Sequence, residues 1–411
     1  MKTSLLTVAR RRWSFRVTLA VATVAVIVGA CQPASTTVKP SSLTGASASV
    51  SPAESSSTVP SLTSGWEREA IQTGLGAPLT SVIWTGTQFL AVDAVDGTLL
   101  ASNDGRTWQQ QARAADGHVG LVAAGPHGLL AVGSVNAEGV VAIWHSRDGL
   151  NWTRTPDAAS LHGQGGAFLT MAAVMAAGTG WLAVGGESLS CVPAACRLVR
   201  AVVWTSPDGL EWTRSTDSPA LQHSEMTGVV LSSVGYVAVG ASAADPSRAD
   251  SAIRPAVWTS PDGQAWTRSD RLPVVKAAPD AEVGLDSVAV MESRVVAVGH
   301  VSTEADALSD SFAWSSEGGK WSSAGIGRFV HSQDVRVVAV PSGILAMFGT
   351  GPDTSCASAI WGSADGSSWT CIGNDPAFAH SAISDAAVAP EAEVVVGSEN
   401  DSAIIWVSAP H

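Results

Sequence analysis

The chain has 411 residues, with 23 Lys and Arg against 36 Asp and Glu and a net charge of −13. So acidic a protein does not hold nucleic acid by neutralising phosphates, and the charge serves solubility instead. Forty Gly, and 16 Trp against one Tyr, fit a turn-rich all-β protein rather than a helical one.

Residues 1–16 carry Lys2, Arg10, Arg11, Arg12 and Arg16, and the uncharged run 17–30 follows. That run is too short for a helix of about 20 residues to span a bilayer. A basic start, a short apolar centre and small residues at its end mark 1–30 as a secretory signal. Val28-Gly29-Ala30-Cys31 resembles the lipobox of bacterial lipoproteins. The resemblance implies cleavage before Cys31, lipidation of Cys31, and anchoring on the outer side of the bacterial cell membrane. Residues 31–65 are almost wholly Ser, Thr, Ala, Pro and Val. That composition buries too little apolar surface to fold and predicts a disordered tether.

Residues 66–411 repeat. Each unit opens with an apolar strand such as Gly228–Leu231, then a second strand ending in Gly, as in Gly128–Gly133, Trp181–Gly185, Tyr236–Gly240, Val295–Gly299 and Val394–Gly397. After a variable loop comes a hairpin, most complete in Val203-Trp204-Thr205-Ser206-Pro207-Asp208-Gly209-Leu210-Glu211-Trp212-Thr213-Arg214. Asp-Gly favours such a turn because Gly takes positive φ and Asp bonds nearby backbone. The pattern returns at Trp144–Arg154, Trp258–Arg268 and Trp361–Thr370, with weaker copies at Leu100–Trp108 and Trp314–Trp321. The turn acids Asp104, Asp148, Asp208, Asp262, Glu317 and Asp365 stand 44 to 60 residues apart. Four strands per period of about 40–50 residues is the signature of a propeller blade. Ile404–Ser408 reads as the third strand of a last unit whose fourth strand is missing, and Trp66-Glu67-Arg68 supplies it from the N-terminal end. The predicted fold is therefore a seven-bladed β-propeller whose last blade both terminal strands close, leaving no free sheet edge.

The Ser-x-Asp-Gly-x-x-Trp hairpins resemble the Asp-box, or BNR repeat, of sialidases, sortilin-type receptors and photosystem-assembly propellers, shortened by one residue between Asp and Trp. The resemblance implies turn-stabilising roles for Asp104, Asp148, Asp208, Asp262 and Asp365, with Trp packing between sheets. It implies no particular function, since one fold hosts many. Sialidases of this family use a tyrosine nucleophile and an Arg triad introduced by a Phe/Tyr-Arg-Ile-Pro motif. Here the one tyrosine, Tyr236, holds a strand position that Leu129, Trp181 and Ile344 fill in other units, and the motif is missing.

Two sets of connections should build a rim on one face around the central funnel. They are Gly186–Arg200, Ala241–Pro255 and His300–Ser311 within blades three to five, and Thr155–Phe168, Ser215–Met226 and Ser269–Glu282 between blades. Loops on a rigid scaffold are where binding usually sits. Counting back from the Gly that ends each second strand places His223, Glu282, His331 and His380 where four consecutive blades begin. These four are funnel-mouth ligand candidates, suited to a small anionic ligand or a bridging water more than to a metal ion. A local motif repeated by each blade explains the same spacing. Setting Cys31 aside leaves Cys191, Cys196, Cys356 and Cys371, which in an exported domain predict Cys191–Cys196 and Cys356–Cys371 among three pairings. A regular hairpin between the latter two would push their Cα atoms toward the limit of about 7 Å for bridging.

The sequence thus predicts a cell-surface lipoprotein, without cofactor or catalytic residues and monomeric. Its propeller binds a protein, peptide or glycan at the envelope through the loop face. Two other readings stay open: a glycan-directed hydrolase of the sialidase-like superfamily with carboxylates in the funnel, and an envelope assembly or structural factor.

Overall fold

Strands of alternating apolar and small residues, punctuated by Gly turns, pair with their sequence neighbours into antiparallel sheets. The computed structural model describes residues 65–70, 78–93, 97–113, 117–135, 140–189, 197–247, 252–270, 272–273, 281–302, 308–330, 335–348, 356–400 and 402–408. The leader 1–30, nearly all of the tether, Cys31, Cys191, Cys196 and His331 lie outside them.

The described residues form seven four-stranded antiparallel sheets, with three short 3-10 turns and no α-helix. Blade 1 runs from Leu79 to Arg113, blade 2 from His118 to Arg154 and blade 3 from Phe168 to Arg214. Blade 4 runs from Ser224 to Ser269, blade 5 from Glu282 to Val330 and blade 6 from Arg336 to Cys371. Blade 7 takes three strands from Ala382–Ala389, Ala392–Glu399 and Ser402–Ser408. Its outer strand is Glu67–Ala70, in register from Glu67 opposite Val407 to Ala70 opposite Ile404. The fold is the predicted seven-bladed propeller, closed by its two terminal strands. The turns joining strands one to two and three to four share one face of the ring, the turn face. Loops joining strands two to three, and the connections between blades, share the other, the loop face.

The core lies between neighbouring sheets. In blades 2 to 5 a Trp on the third strand stands opposite an Ala of the second: Trp144 opposite Ala131, Trp204 opposite Ala183, Trp258 opposite Ala238 and Trp314 opposite Ala297. These four indoles and Trp406 are fully buried, and each ring removes roughly 150–250 Å² from water. Four of them also hold the connection entering their blade: Trp204, Trp258, Trp314 and Trp406 donate Nε1–H to the carbonyls of Ser160, Ala220, Pro273 and Ala377.

The Gly that ends the second strand in five blades has a packing reason. A bulge in the first strand brings a carbonyl toward it, so a Cβ at Gly133, Gly185, Gly240, Gly299 or Gly397 would lie 1.8–2.1 Å from that oxygen. In blade 6, Ala346 pairs with Val337, which puts Phe348 rather than Gly349 at this place. Measured from Phe348, His331 has the same spacing as the other three mouth candidates.

Five hairpins share one hydrogen-bond pattern. Ser102, Ser146, Ser206, Ser260 and Ser363 donate Oγ–H to Asp104, Asp148, Asp208, Asp262 and Asp365 at 2.9–3.3 Å. Each Asp also accepts two backbone N–H groups, as Asp208 does from Leu210 and Glu211. Those bonds hold Asp208 well below the usual carboxylate range, and the same pair from Ala265 and Gln264 lowers Asp262. Asp365, despite some burial, falls to about 2 through Ser368 and Ser367. Gly209, at φ 84°, packs across the seam on Leu130 of blade 2.

Glu317 departs from the expectation. In blade 5 the strands Leu308–Glu317 and Lys320–Val330 meet through Gly318-Gly319 alone, a two-residue hairpin with both φ positive. With two glycines making the turn no acid is needed at its centre, and Glu317 pairs instead with Arg294 at 3.0 Å. Cys356 and Cys371 form a disulfide at a Cα separation of 5.6 Å, within bridging range.

Candidate functional site

The loop face is built up at blades 3 to 5 by long ladders more than by irregular loops. Gly180–Leu189 pairs with Arg197–Ser206, Gly235–Ala243 with Ile253–Ser260, and Arg294–Ser302 with Leu308–Glu317. The ends of the predicted variable loops are therefore strand. In blade 3 this extension is locked by Glu187, only 1% exposed, which pairs with Arg200 at 2.8 Å and Arg214 at 2.6 Å and accepts the Gln164 N–H. Burial alone would raise the Glu187 pKa, but Arg214, Gln164 and Arg200 together hold it below its ordinary value.

His223 and His380 belong to a repeated local motif. A 3-10 turn, Pro219–Leu221 or Pro376–Phe378, seats Leu221 or Phe378 in the core and is capped by Ser218 or Asp375. The next His takes positive φ, 53° at His223 and 62° at His380, and the following Ser bonds back into the turn. The regular spacing of His across blades marks this turn. His223 is half-buried and His380 exposed. Among the described residues no three His, Cys, Asp or Glu are grouped to hold a metal ion.

Glu282 keeps different company. Its charge acts on Glu225 of blade 4 and on His300 of its own blade. Glu225 is the second residue of the first strand of blade 4, opposite Ala241. Gly186 of blade 3 leaves room for it, since a Cβ there would lie 2.8 Å from the Glu225 Cβ. Asp286 is the extra residue of the bulge between Leu285 and Ser287, and bulges re-aim side chains. His300, next to Gly299, holds Asp286 Oδ2 through Nδ1 at 2.8 Å. Thr227 ties the two blades at this level by donating to the Leu285 carbonyl at 2.7 Å.

Glu225 hydrogen-bonds to none of the described residues. Burial, with the negative charges of Asp286 and Glu282 behind it, pushes its carboxyl up to about 7. Burial opposes charge on His300 too, but Asp286 and Glu282 outweigh it and raise the imidazole above its ordinary value. The cluster thus gathers the carboxyl groups of Glu225, Asp286 and Glu282 around one imidazole, which Asp286 and Glu282 bias toward its protonated form. It can receive a cation or hydrogen-bond donors, and Glu225 can give or take a proton.

A second buried group lies around the axis at blades 6, 7 and 1. Asp385, fully buried, accepts the N–H of Val82 at 3.0 Å and of Ala386 at 2.9 Å. Burial raises it to about 6, against the pull of Arg336 and these bonds. Val82 belongs to blade 1, Ala386 to blade 7 and Arg336 to blade 6, so Asp385 ties three blades together.

A family model described as the DUF6242 beta propeller domain matches residues 43–282, more than half of the chain. The chain belongs to that family. Solved structures similar to this DUF6242 propeller are distant. An α-L-arabinanase of Penicillium chrysogenum is 14% identical at a TM-score of 0.40, over 68% of this chain and 89% of that one. Virginiamycin B lyase from Staphylococcus aureus is 9% identical at 0.44, over 84% and 98%. Trypanosoma rangeli sialidase is 12% identical at 0.43, over 84% and 60%. No curated protein matches this DUF6242 chain. The Glu225–Asp286–His300 cluster therefore stands on its own geometry.

Proposed function

We propose that this propeller is a lipid-anchored cell-surface binding module. Its ligand is a protein, peptide or glycan that presents a cationic group to the loop-face mouth between blades 4 and 5. The observation that carries the reading is the Glu225 carboxyl, which bonds to none of the described residues and stands beside the negative Asp286 and Glu282. The anchor is supported by the sequence alone: the basic leader, the tripeptide before Cys31 and the Ser/Thr/Ala/Pro run after it. The five shared Ser–Asp–Gly turns support reading the repeat as a shortened Asp-box, which is a scaffold feature here.

A screen of Lys- and Arg-containing peptides and amino-sugar glycans against wild type, Glu225→Gln and Asp286→Asn tests the site. Loss of a charge-assisted contact worth about 1.5–3 kcal/mol should weaken binding at least tenfold. Equal affinity for wild type and both variants refutes it. One observation favours hydrolysis as a second reading: a carboxyl pushed up to about 7, Glu225, stands beside other carboxyl groups, and a raised pKa is what a general acid needs. Turnover of fluorogenic glycosides by wild type and its loss in Glu225→Gln would establish that reading in place of binding alone.

A further inference from the structure

We propose that the turn face of blades 2 to 4 rests on the lipid bilayer, so that the acidic mouth opens away from the membrane. The inference rests on the lipid-anchor reading and adds the orientation and the contact surface.

Two independent observations meet on this face. The first is where the chain leaves the ring. Glu67–Ala70 is the fourth strand of blade 7, and every fourth strand begins at the turn face. Gly65 and Trp66 therefore stand at that side. Cys31 stands 34 residues before Gly65, and a random-coil chain of that length spans about 30 Å on average. A lipid on Cys31 holds the turn face nearer to the bilayer than the loop face, which lies a full strand length further away.

The second observation is the placement of exposed apolar side chains. Of the five large ones exposed among the described residues, four are on the turn face of consecutive blades. Leu150 (52% exposed) and Leu210 (38%) cap the third turns of blades 2 and 3, and Leu231 (48%) and Val234 (69%) form the first turn of blade 4. The fifth, Phe168, begins blade 3 on the other face. Asp148 and Asp208 accept the N–H groups of Leu150 and Leu210, which fixes the tips and leaves both leucine side chains pointing outward. Isolated surface leucines need no explanation, but a set collected on the tethered side marks a contact surface.

The test uses the full lipidated chain in phosphatidylcholine vesicles, with a protease site placed in the 31–65 stretch. Flotation reports anchoring, and hydrogen exchange is read before and after the protein is cut free. Docking predicts slowed exchange around 147–151, 207–211 and 231–235 while anchored, lost on release. It also predicts that protection is lost in an anchored Leu150→Asp, Leu210→Asp, Leu231→Asp, Val234→Asp variant. All four positions are exposed, and an unchanged melting temperature confirms that the variant folds. Protein that floats but exchanges alike before and after release overturns the docking and leaves the anchor standing. Protection of the loop face instead overturns the orientation. Failure to float overturns the anchor reading, and the inference falls with it.

Discussion

Replacing Glu393 by isoleucine should stabilise the propeller, and by far more at pH 8 than at pH 4.5. Glu393 sits on the second strand of blade 7, opposite Ser408, at 2% exposure, and its Oε1 has no partner among the described residues. The corresponding places in the other blades hold Phe89, Leu129, Trp181, Tyr236, Val295 and Ile344, each opposite a Ser. Burial raises the Glu393 carboxyl from 4.5 to about 7. The folded protein thus holds its proton to a higher pH than the unfolded chain, so stability is intact below 4.5, declines up to about 7 and is level above. A shift of this size corresponds to about 3 kcal/mol lost across that window. Denaturant melts of wild type and Glu393→Ile at both pH values measure it. The advantage of the variant should grow by about 3 kcal/mol from the acid to the alkaline condition. An advantage independent of pH, or a Glu393 carboxyl titrating near 4.5 by NMR, refutes the reasoning.

Glu187→Ala leaves Arg200 and Arg214 facing a void at 11% exposure each and should destabilise by about 3–5 kcal/mol, read by chemical unfolding. Since the Glu187 pKa is lowered, the wild-type advantage should vanish as pH falls below the ordinary carboxylate range. Reducing Cys356–Cys371, or replacing both by Ser, frees a loop of 15 residues and should cost about 3 kcal/mol in thermal or denaturant melts. Asp208→Ala strips two backbone N–H groups and Ser206 of their acceptor and should cost about 1–3 kcal/mol, with Asp208→Asn losing less. Cation binding at the mouth should weaken as pH falls from 8 to 6, because Glu225 takes up a proton near 7, and calorimetry on Glu225→Gln should lose that pH dependence.

The fold was legible because its information is local and repeated. The Asp-Gly turns, the Trp that follows and the Gly ending each second strand all act within one blade or across one seam, and the displaced Trp66 strand completes the count. The site was less legible. Glu225, Asp286 and His300 belong to different strands of two blades, and a bulge that adds a residue only locally aims Asp286. One clue was present: an acid inside the apolar run Val283-Gly284-Leu285-Asp286-Ser287-Val288, and again at Asp385 in blade 7. The His spacing was a real regularity with a different cause, since His223 and His380 are the left-handed residues of a turn. Glu282 stands near Glu225 and His300, partners that the spacing did not show.

Closure by the two terminal strands also sets a timetable. Arg68 pairs with Glu399 across 331 residues of sequence, and contacts so distant in the chain form late. During synthesis six blades can assemble their own hydrogen bonds, but the ring stays an open arc until the final strand is delivered. A chain cut short anywhere before Ser402 keeps the Glu67–Ala70 strand without its partner. The seam of blade 7 thereby works as a completeness check, passed only by full-length molecules.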